Sequence, residues 1–217
     1  MITVVVPSRN EEKNIKQCLQ ALRGALPDAR IIVVDRSEDR TPEIVEECGG
    51  ELHSFGKPGK GAALMKGFEL AEGTIVMTDA DNSYPAEAIP KMLTLLESAD
   101  VVIGSRYCKG GSSVGNSFIR GFLGKGYSLL SRIFLGVSDP QSGLKVFRKE
   151  VVERVGSINE QGFGWDTVFI ARVKRKGLRV MEYPIVFHSK EEESNVGALG
   201  TTWSMWWNFV LVVLRVR

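Results

Sequence analysis

The chain is short of cysteine and of net charge, it has no long apolar run, and each shortage narrows what it can be. Its three cysteines, Cys18, Cys48 and Cys108, are odd in number and share no CxxC spacing. That argues against a disulfide framework or a structural zinc site and for a reducing compartment. With 28 basic against 26 acidic residues the net charge is only +2, too small an excess to make nucleic acid the main partner. No stretch reaches the about 18 apolar residues that a membrane-spanning helix requires. Met1 runs straight into the strand-like Ile2 to Val6, so no secretion signal is expected. Internal repeats, low-complexity tracts and linkers are missing too. What remains, 43% hydrophobic and 25% charged over 217 residues, is the balance of one globular domain.

Along that domain, apolar runs alternate with helical periodicities. Ile2 to Val6, Ile31 to Val34, Glu51 to Phe55, Thr74 to Thr78 and Val101 to Ile103 read as strands. The stretches from Ile15 to Leu22, Thr41 to Cys48, Gly61 to Ala71 and Pro85 to Leu96 read as helices. This is the pattern of an α/β fold with a mostly parallel sheet covered on both faces. Past Gly104 the alternation weakens. Gly110 to Gly115 reads as a mobile loop, Phe118 to Leu135 as a helix carrying Arg120, Lys125 and Arg132, and Gly143 to Arg148 as a strand. Asp166 to Lys176 reads as a helix and Val180 to Phe187 as a strand.

Ligands of such sheets bind beyond the carboxyl ends of the strands, and polar clusters fall there: Ser8 to Glu12, Asp35 to Thr41, and Asp79 to Ser83. Asp79 and Asp81 flank Ala80 directly after an apolar strand. Alternate carboxylates on a loop can converge on a hard cation such as Mg²⁺ or Mn²⁺, or they can cap the following helix. Asp35, at another strand end, can accept from the imide N–H of uracil or guanine, and Ser37, Asp39 and Thr41 beside it are equally suited to capping. Pro7 to Glu12 offers polar side chains and turn backbone to a base or ribose. Lys57 to Gly61 opens a helix with backbone donors and Lys60, a weak phosphate signature without the full P-loop pattern. His53 reads as structural, Cys108 as inert, and His188 and Lys190 as acceptor-facing or simply exposed.

Six motifs in order, VVVPSRNEE (Val4 to Glu12), VVDRSEDRT (Val33 to Thr41), GKGAAL (Gly59 to Leu64), TDADNSYP (Thr78 to Pro85), GSRY (Gly104 to Tyr107) and DPQSGLKVFR (Asp139 to Arg148), make the chain resemble the inverting GT-A glycosyltransferases. Within these it is most similar to dolichyl-phosphate mannose and glucose synthases, over residues 2 to about 190. The resemblance implies a Rossmann-like GT-A domain that transfers a sugar from a nucleotide-diphosphate donor to a polyprenyl or dolichyl phosphate. It places Pro7, Asn10 and Glu11 at the nucleoside, Asp35 at the base, Lys60 at the donor phosphates, Asp79 at ribose and metal, and Asp81 at the metal. Arg106 and Arg120 match arginines that hold the acceptor phosphate, and Ser142 helps shape the substrate site.

The sequence departs from that family in places. Arg36 replaces a frequent second aspartate. Ser83 stands where a third metal ligand, glutamine, is common, and offers only a neutral, weaker oxygen. Asn195 replaces a lysine in the late acceptor loop. Asp166, in GFGWDT, occupies the place of a late carboxylate. It is the candidate general base if the acceptor is a hydroxyl, and a helix cap otherwise. A phosphate acceptor arrives as an anion and needs no base, only orientation by Arg106 and Arg120.

Residues 1–198 are read as the transferase domain and 199–217 as a C-terminal amphipathic helix. There Trp203, Trp206, Trp207, Val210, Leu211 and Leu214 recur at helical spacing, ahead of Arg215 and Arg217. Such a helix packs on the domain or lies at a membrane surface. A lipid acceptor favours the second and a peripheral place on the cytoplasmic face. Two rivals stay open: transfer to a soluble hydroxyl such as a phosphoglycerate, and a catalytically silent nucleotide-sugar-binding protein.

Overall fold

The computed structural model describes residues 1–115, 118–158 and 164–190, with the backbone alone at 118–120. The expected amphipathic helix at 199–217, and Asn195 before it, lie outside the described residues. In chain order the elements are β1 (Ile2–Ser8), α1 (Ile15–Ala25), β2 (Arg30–Asp35), α2 (Thr41–Glu47), β3 (Glu51–Ser54), α3 (Lys60–Leu70), β4 (Thr74–Met77), α4 (Ile89–Thr94) and β5 (Val101–Ser105). They continue with β6 (Ser112–Val114), α5 (Phe118–Leu135), β7 (Lys145–Arg148), α6 (Lys149–Val155), α7 (Trp165–Arg175), β8 (Val180–Pro184) and β9 (Val186–His188).

Among the described residues seven strands form one sheet in the order β3-β2-β1-β4-β7-β5-β8. Every pairing in it is parallel except those of β7, which runs against both β4 and β5. Both faces are covered, which explains the unbroken apolar run of β1. Val4 and Val6 point into one core with Ile15, Leu19 and Leu22 of α1, while Val5 points into the other with Leu64 and Phe68 of α3. Neighbouring side chains on a strand face opposite ways, so a strand buried on both sides has no polar positions to alternate with. Around Phe68 the second core is aromatic, with Phe147 edge-on at 5.4 Å and Trp165 stacked on Phe169 at 5.2 Å.

Three details differ from the sequence expectation. The stretch from Gly110 to Gly115 holds β6, a three-residue strand that pairs in parallel with β9. The expected single strand from Val180 to Phe187 is therefore two, divided at Ile185, because β8 extends the main sheet and β9 leaves it for β6. The helix expected over Pro85 to Leu96 is broken into 3₁₀ turns at Ala86–Ala88 and Leu95–Glu97 around a short α4. Pro90 falls in the first turn of α4, where its missing N–H is tolerated but where it cannot continue the preceding turn.

The reversed strand matters for function. Because β7 is antiparallel, its first residue, Lys145, lies opposite Met77 at the end of β4 and opposite Ile103 near the end of β5. The loop before it, Asp139 to Leu144, is thereby delivered to the edge where the parallel strands end.

Candidate active site

Strand order reverses between β1 and β4, and their carboxyl ends, with that of β2, frame one crevice, the usual ligand position in open α/β sheets. Two loops at this edge are knitted together. Asn10, held at φ +56°, donates its backbone N–H to Ser37 Oγ at 2.7 Å and accepts from Glu38 N–H on its own Oδ1 at 3.0 Å. Glu11 N–H donates to Thr41 Oγ1 at 2.8 Å. Asp39 receives Thr41 N–H and hydroxyl at 3.0 and 2.6 Å and Glu12 N–H at 3.2 Å.

Much of the polar signature after β1 and β2 therefore builds the pocket rather than standing free in it. Asp35 is 3% exposed. It accepts the Ser37 N–H at 2.8 Å, the Ser37 hydroxyl at 2.7 Å and the Ser8 hydroxyl. A carboxylate has about four acceptor positions, so roughly one remains for a base N–H. Pro7 lies half-buried within β1.

The ionic centre is a chain of alternating charges. Lys60, the first residue of α3, places Nζ 2.5 Å from Asp79 Oδ1 and 3.8 Å from Asp166 Oδ2. The other Asp166 oxygen is ion-paired to Lys145, which is completely buried. Burial alone would lower the Lys60 ammonium, but Asp79 and then Asp166 hold it well above the ordinary lysine range. Lys145 goes the other way: burial pushes its ammonium down, against the pull of Asp166. Beside this chain, burial raises the Asp81 carboxyl, and the Asp79 charge adds to it. Burial also raises Glu11, with Asp81 and Asp79 contributing against a hydrogen bond from Asn14. Glu11, Asp79 and Asp81 thus share one negative field.

The fit to a divalent cation can be judged from these groups. Among the described residues no three His, Cys, Asp or Glu side chains converge into a complete metal cage. Two carboxylates at the edge of a cleft, completed by substrate oxygens and water, are nevertheless the normal protein share for Mg²⁺ or Mn²⁺. Ser83 donates its backbone N–H to Asp81 Oδ1 at 2.9 Å. Its Oγ is buried and lies near enough to Asp81 to favour that carboxylate's ionised form. A buried hydroxyl oxygen beside the Asp81 carboxylate fits a cation site.

A glycine keeps Asp79 in place. A Cβ on Gly143 would stand 2.3 Å from Asp79 Oδ2, and the Gly143 N–H donates to Tyr84 Oη at 2.7 Å. Gly143→Ala is therefore expected to leave the fold intact, because the flexible carboxylate can move aside, while displacing Asp79 by about an ångström. A shift of that size costs on the order of 10²-fold in rate. Comparing melting temperature with sugar-transfer rate checks this, and full activity in the folded variant would remove Asp79 from the chemistry.

On the other side of the cleft Arg106 forms a fork with Asp139, Nε to Oδ2 and Nη2 to Oδ1 both at 2.8 Å, and its backbone N–H adds a third bond at 2.9 Å. The guanidinium lies 5.1 Å from the Phe187 ring centre and 5.4 Å from that of Tyr107. Asp139 is itself oriented: its N–H and that of Ser138 donate to the two oxygens of Glu182 at 3.0 and 2.8 Å. The fork leaves only the remaining guanidinium N–H groups for a further partner.

Two expectations change here. Ser142 is wholly buried and gives its hydroxyl to the Gly104 carbonyl at 2.5 Å, so it shapes the loop from behind and does not face a ligand. Asp166 does not cap α7, whose N-cap is Gly164; it is the counter-ion of two lysines. Arg120 lies in the first turn of α5, and its side chain is outside the described residues. His53 is structural, 2.7 Å from Glu51. Lys145, Asp139, Tyr84 and Glu182 were not singled out from sequence, although the first three stand inside or beside the motifs quoted above. Lys145 carried a signal, a lysine inside the apolar run Leu144 to Phe147.

The fold is that of a GT-A-type α/β domain, with an acidic pair at the switch point and a lysine at the head of the adjoining helix. The chain belongs to glycosyl transferase family 2, whose model matches residues 3–156. It is 34% identical to the low-salt glycan biosynthesis hexosyltransferase Agl6 of Haloferax volcanii, over 93% of this chain and 51% of that protein. It is 33% identical to the dolichol-phosphate mannosyltransferase of Pyrococcus furiosus, over 86% of this chain and 56% of that one. The chain thus spans about half the length of these two relatives. With the undecaprenyl-phosphate mannosyltransferase of Micrococcus luteus the identity is 31%, over 88% of this chain and 84% of the other. The glucosyl-3-phosphoglycerate synthase of Mycobacterium tuberculosis superposes with a TM-score of 0.80 over 98% of this chain and 80% of that one. At 18% identity that likeness establishes the fold alone.

Proposed function

We propose that the protein is an inverting, metal-dependent sugar transferase that moves a hexose from a nucleotide-diphosphate donor to a polyprenyl phosphate. The observation that carries this reading is the acidic pair Asp79 and Asp81 at the carboxyl end of β4, with Lys60 in contact with Asp79. Asp79 and Asp81, with Ser83 as a neutral third oxygen, would hold Mg²⁺ or Mn²⁺, which supplies positive charge where the leaving diphosphate forms. Lys60 adds a permanent positive charge on the same side. Asp35 orients the base through its remaining acceptor position, and Pro7, Asn10 and Glu11 wall the nucleoside. Arg106, with Arg120 as its expected companion, presents N–H donors to the acceptor phosphate, whose own oxygen attacks the anomeric carbon without prior loss of a proton. The names of the Pyrococcus and Micrococcus relatives support a polyprenyl-phosphate acceptor.

One surface feature favours a lipid over a soluble acceptor. Phe122, Leu129 and Ile133 recur at spacings of seven and four along α5 and are 71%, 60% and 65% exposed, an apolar stripe with Lys125 and Arg132 beside it. Apolar side chains flanked by cations suit the boundary of an anionic bilayer. Among the described residues no helix is long and apolar enough to cross a membrane, so docking by this face is the contact we infer. Phe122→Asp with Leu129→Asp should reduce sedimentation with anionic vesicles at least about tenfold, leaving turnover of a short-chain, water-soluble polyprenyl phosphate unchanged. Undiminished vesicle binding would move the contact elsewhere.

The direct test incubates the protein with GDP-mannose or UDP-glucose, Mn²⁺ or Mg²⁺, and either dolichyl phosphate or 3-phosphoglycerate. A lipid-linked hexose is expected. Product on phosphoglycerate alone would favour the hydroxyl-acceptor reading.

A further inference from the structure

The lysine at the head of α3 occupies a position that a divalent cation would contest. One oxygen of Asp79 carries the Lys60 ammonium at 2.5 Å, and the other lies against Gly143, where no Cβ fits. Among the described residues no ammonium is in contact with Asp81, which receives the Ser83 N–H. A cation ligated by both carboxylates at about 2.1 Å would bring two positive centres onto the same aspartate. Lys60 has a nearby alternative. Asp166 Oδ2 lies 3.8 Å from Nζ, while its other oxygen is fixed by Lys145. A movement of about one ångström would take the ammonium from a long contact with Asp166 to a hydrogen bond.

We propose that Lys60 is a tethered counter-ion exchanged for the metal. It neutralises Asp79 while the site is free of ligand, and when the cation enters with the donor diphosphate its ammonium transfers to Asp166 Oδ2 and the incoming phosphate oxygens. This rests on the reading that Asp79 ligates a divalent cation. The buried Lys145–Asp166 pair then has a role beyond stability, as the fixed half of a landing site for Lys60. The consequence is coupling between ligands. The cation alone must displace an ammonium and binds weakly. A diphosphate gives both cations a partner, so metal and donor favour each other's binding, and by linkage the effect is reciprocal.

The experiment measures Mn²⁺ binding to the folded protein by electron paramagnetic resonance, with and without a nucleoside diphosphate, in wild type, Lys60→Met, Lys60→Arg and Asp79→Asn. Without nucleotide, Lys60→Met should bind Mn²⁺ roughly tenfold tighter than wild type, within the usual span of coupling between sites. Lys60→Arg should stay close to wild type. The diphosphate should tighten Mn²⁺ binding less in Lys60→Met than in wild type. A gain in metal affinity is not what mere structural damage would produce. Lys60→Gln, held to the same criterion, replaces Lys60→Met if that variant does not fold. If Asp79→Asn loses Mn²⁺ while the neutral Lys60 variants bind it no more tightly than wild type, the exchange is wrong and the metal site stands. If Asp79→Asn binds Mn²⁺ as wild type does, the metal assignment falls and the exchange falls with it.

Discussion

Asp81→Asn is expected to abolish sugar transfer while raising the melting temperature of the metal-free protein. The two effects share a cause. Burial and the adjacent Asp79 charge raise the Asp81 carboxyl above the ordinary aspartate range. A carboxyl raised in the folded state holds its proton more tightly there than in the unfolded chain, so ionising it costs stability. That stability is fully present below the unfolded-state pKa, is lost as pH rises through the raised folded value, and is absent at neutral pH. Asparagine has the same shape and no charge to confine, so the metal-free variant should melt higher than wild type at pH 7, and the difference should vanish on acidification.

Function reverses the preference. The ionised Asp81 is what a divalent cation needs, and charge stabilisation of a leaving diphosphate supplies several kcal/mol. Transfer should therefore fall at least about 10³-fold. Saturating Mn²⁺ should stabilise wild type, because a ligand that binds only the native state raises its stability by mass action, and should do little for the variant. In wild type that metal-induced stabilisation should fade as pH drops through the raised Asp81 pKa. Thermal melts with and without Mn²⁺ across pH, beside a transfer assay, read all of this. A variant that is less stable, or that keeps its turnover, would contradict the assignment of Asp81.

How much of this was legible in the sequence depends on whether a feature is local. Strands β1, β2 and β4 declare themselves because both faces are buried, so Val4 to Val6 and Ile31 to Val34 are continuous apolar runs. The carboxylates Asp35, Asp79 and Asp81 follow such runs and could be read as a ligand edge. Strands β6 and β9 could not be read this way. Three residues carry no period, and Ser112 meets Val186 only through the tertiary fold. The direction of β7 was equally hidden, since periodicity reports which face is buried and not which way the chain runs.

That hidden reversal is what brings Lys145 and the Asp139 to Leu144 loop to the cleft. The same limit explains the missed side chains. Asp139 and Glu182 act through groups dozens of positions away, Arg106 for one and the Ser138 and Asp139 N–H groups for the other. Ser142 stands out by its motif, but whether its hydroxyl faces a ligand or the Gly104 carbonyl is a matter of packing alone.

The remaining large effect separates a phosphate acceptor from a hydroxyl acceptor, and the ion pairs dictate how it must be measured. Replacing Arg106 by Ala should lower kcat/KM for a lipid phosphate by the equivalent of about 2–5 kcal/mol, with donor affinity nearly unchanged. The change would also strand Asp139, which is buried and receives the fork, so it is best made together with Asp139→Asn. Asp166 poses the same difficulty. Asp166→Asn alone leaves the wholly buried Lys145 without its counter-ion, and breaking a buried pair from one side costs about 3–5 kcal/mol of stability. A dead single variant would then report unfolding and say nothing of base catalysis.

The compensated variant Lys145→Met with Asp166→Asn removes both charges, and exchanging a whole buried pair for neutral groups is often close to neutral in stability. If the nucleophile is a phosphate oxygen it already carries its charge, so this folded double variant should retain transfer within about tenfold of wild type, the residue of the loss being the landing site for Lys60. If the nucleophile is a hydroxyl it must shed a proton as it attacks, and loss of Asp166, the candidate general base, should cost about 10²–10⁴-fold. Single-turnover rates on dolichyl phosphate and on 3-phosphoglycerate, with melting curves for each variant, decide between the two. A folded double variant that loses 10²-fold or more while the Arg106 variant stays active would replace the polyprenyl-phosphate reading with the hydroxyl one.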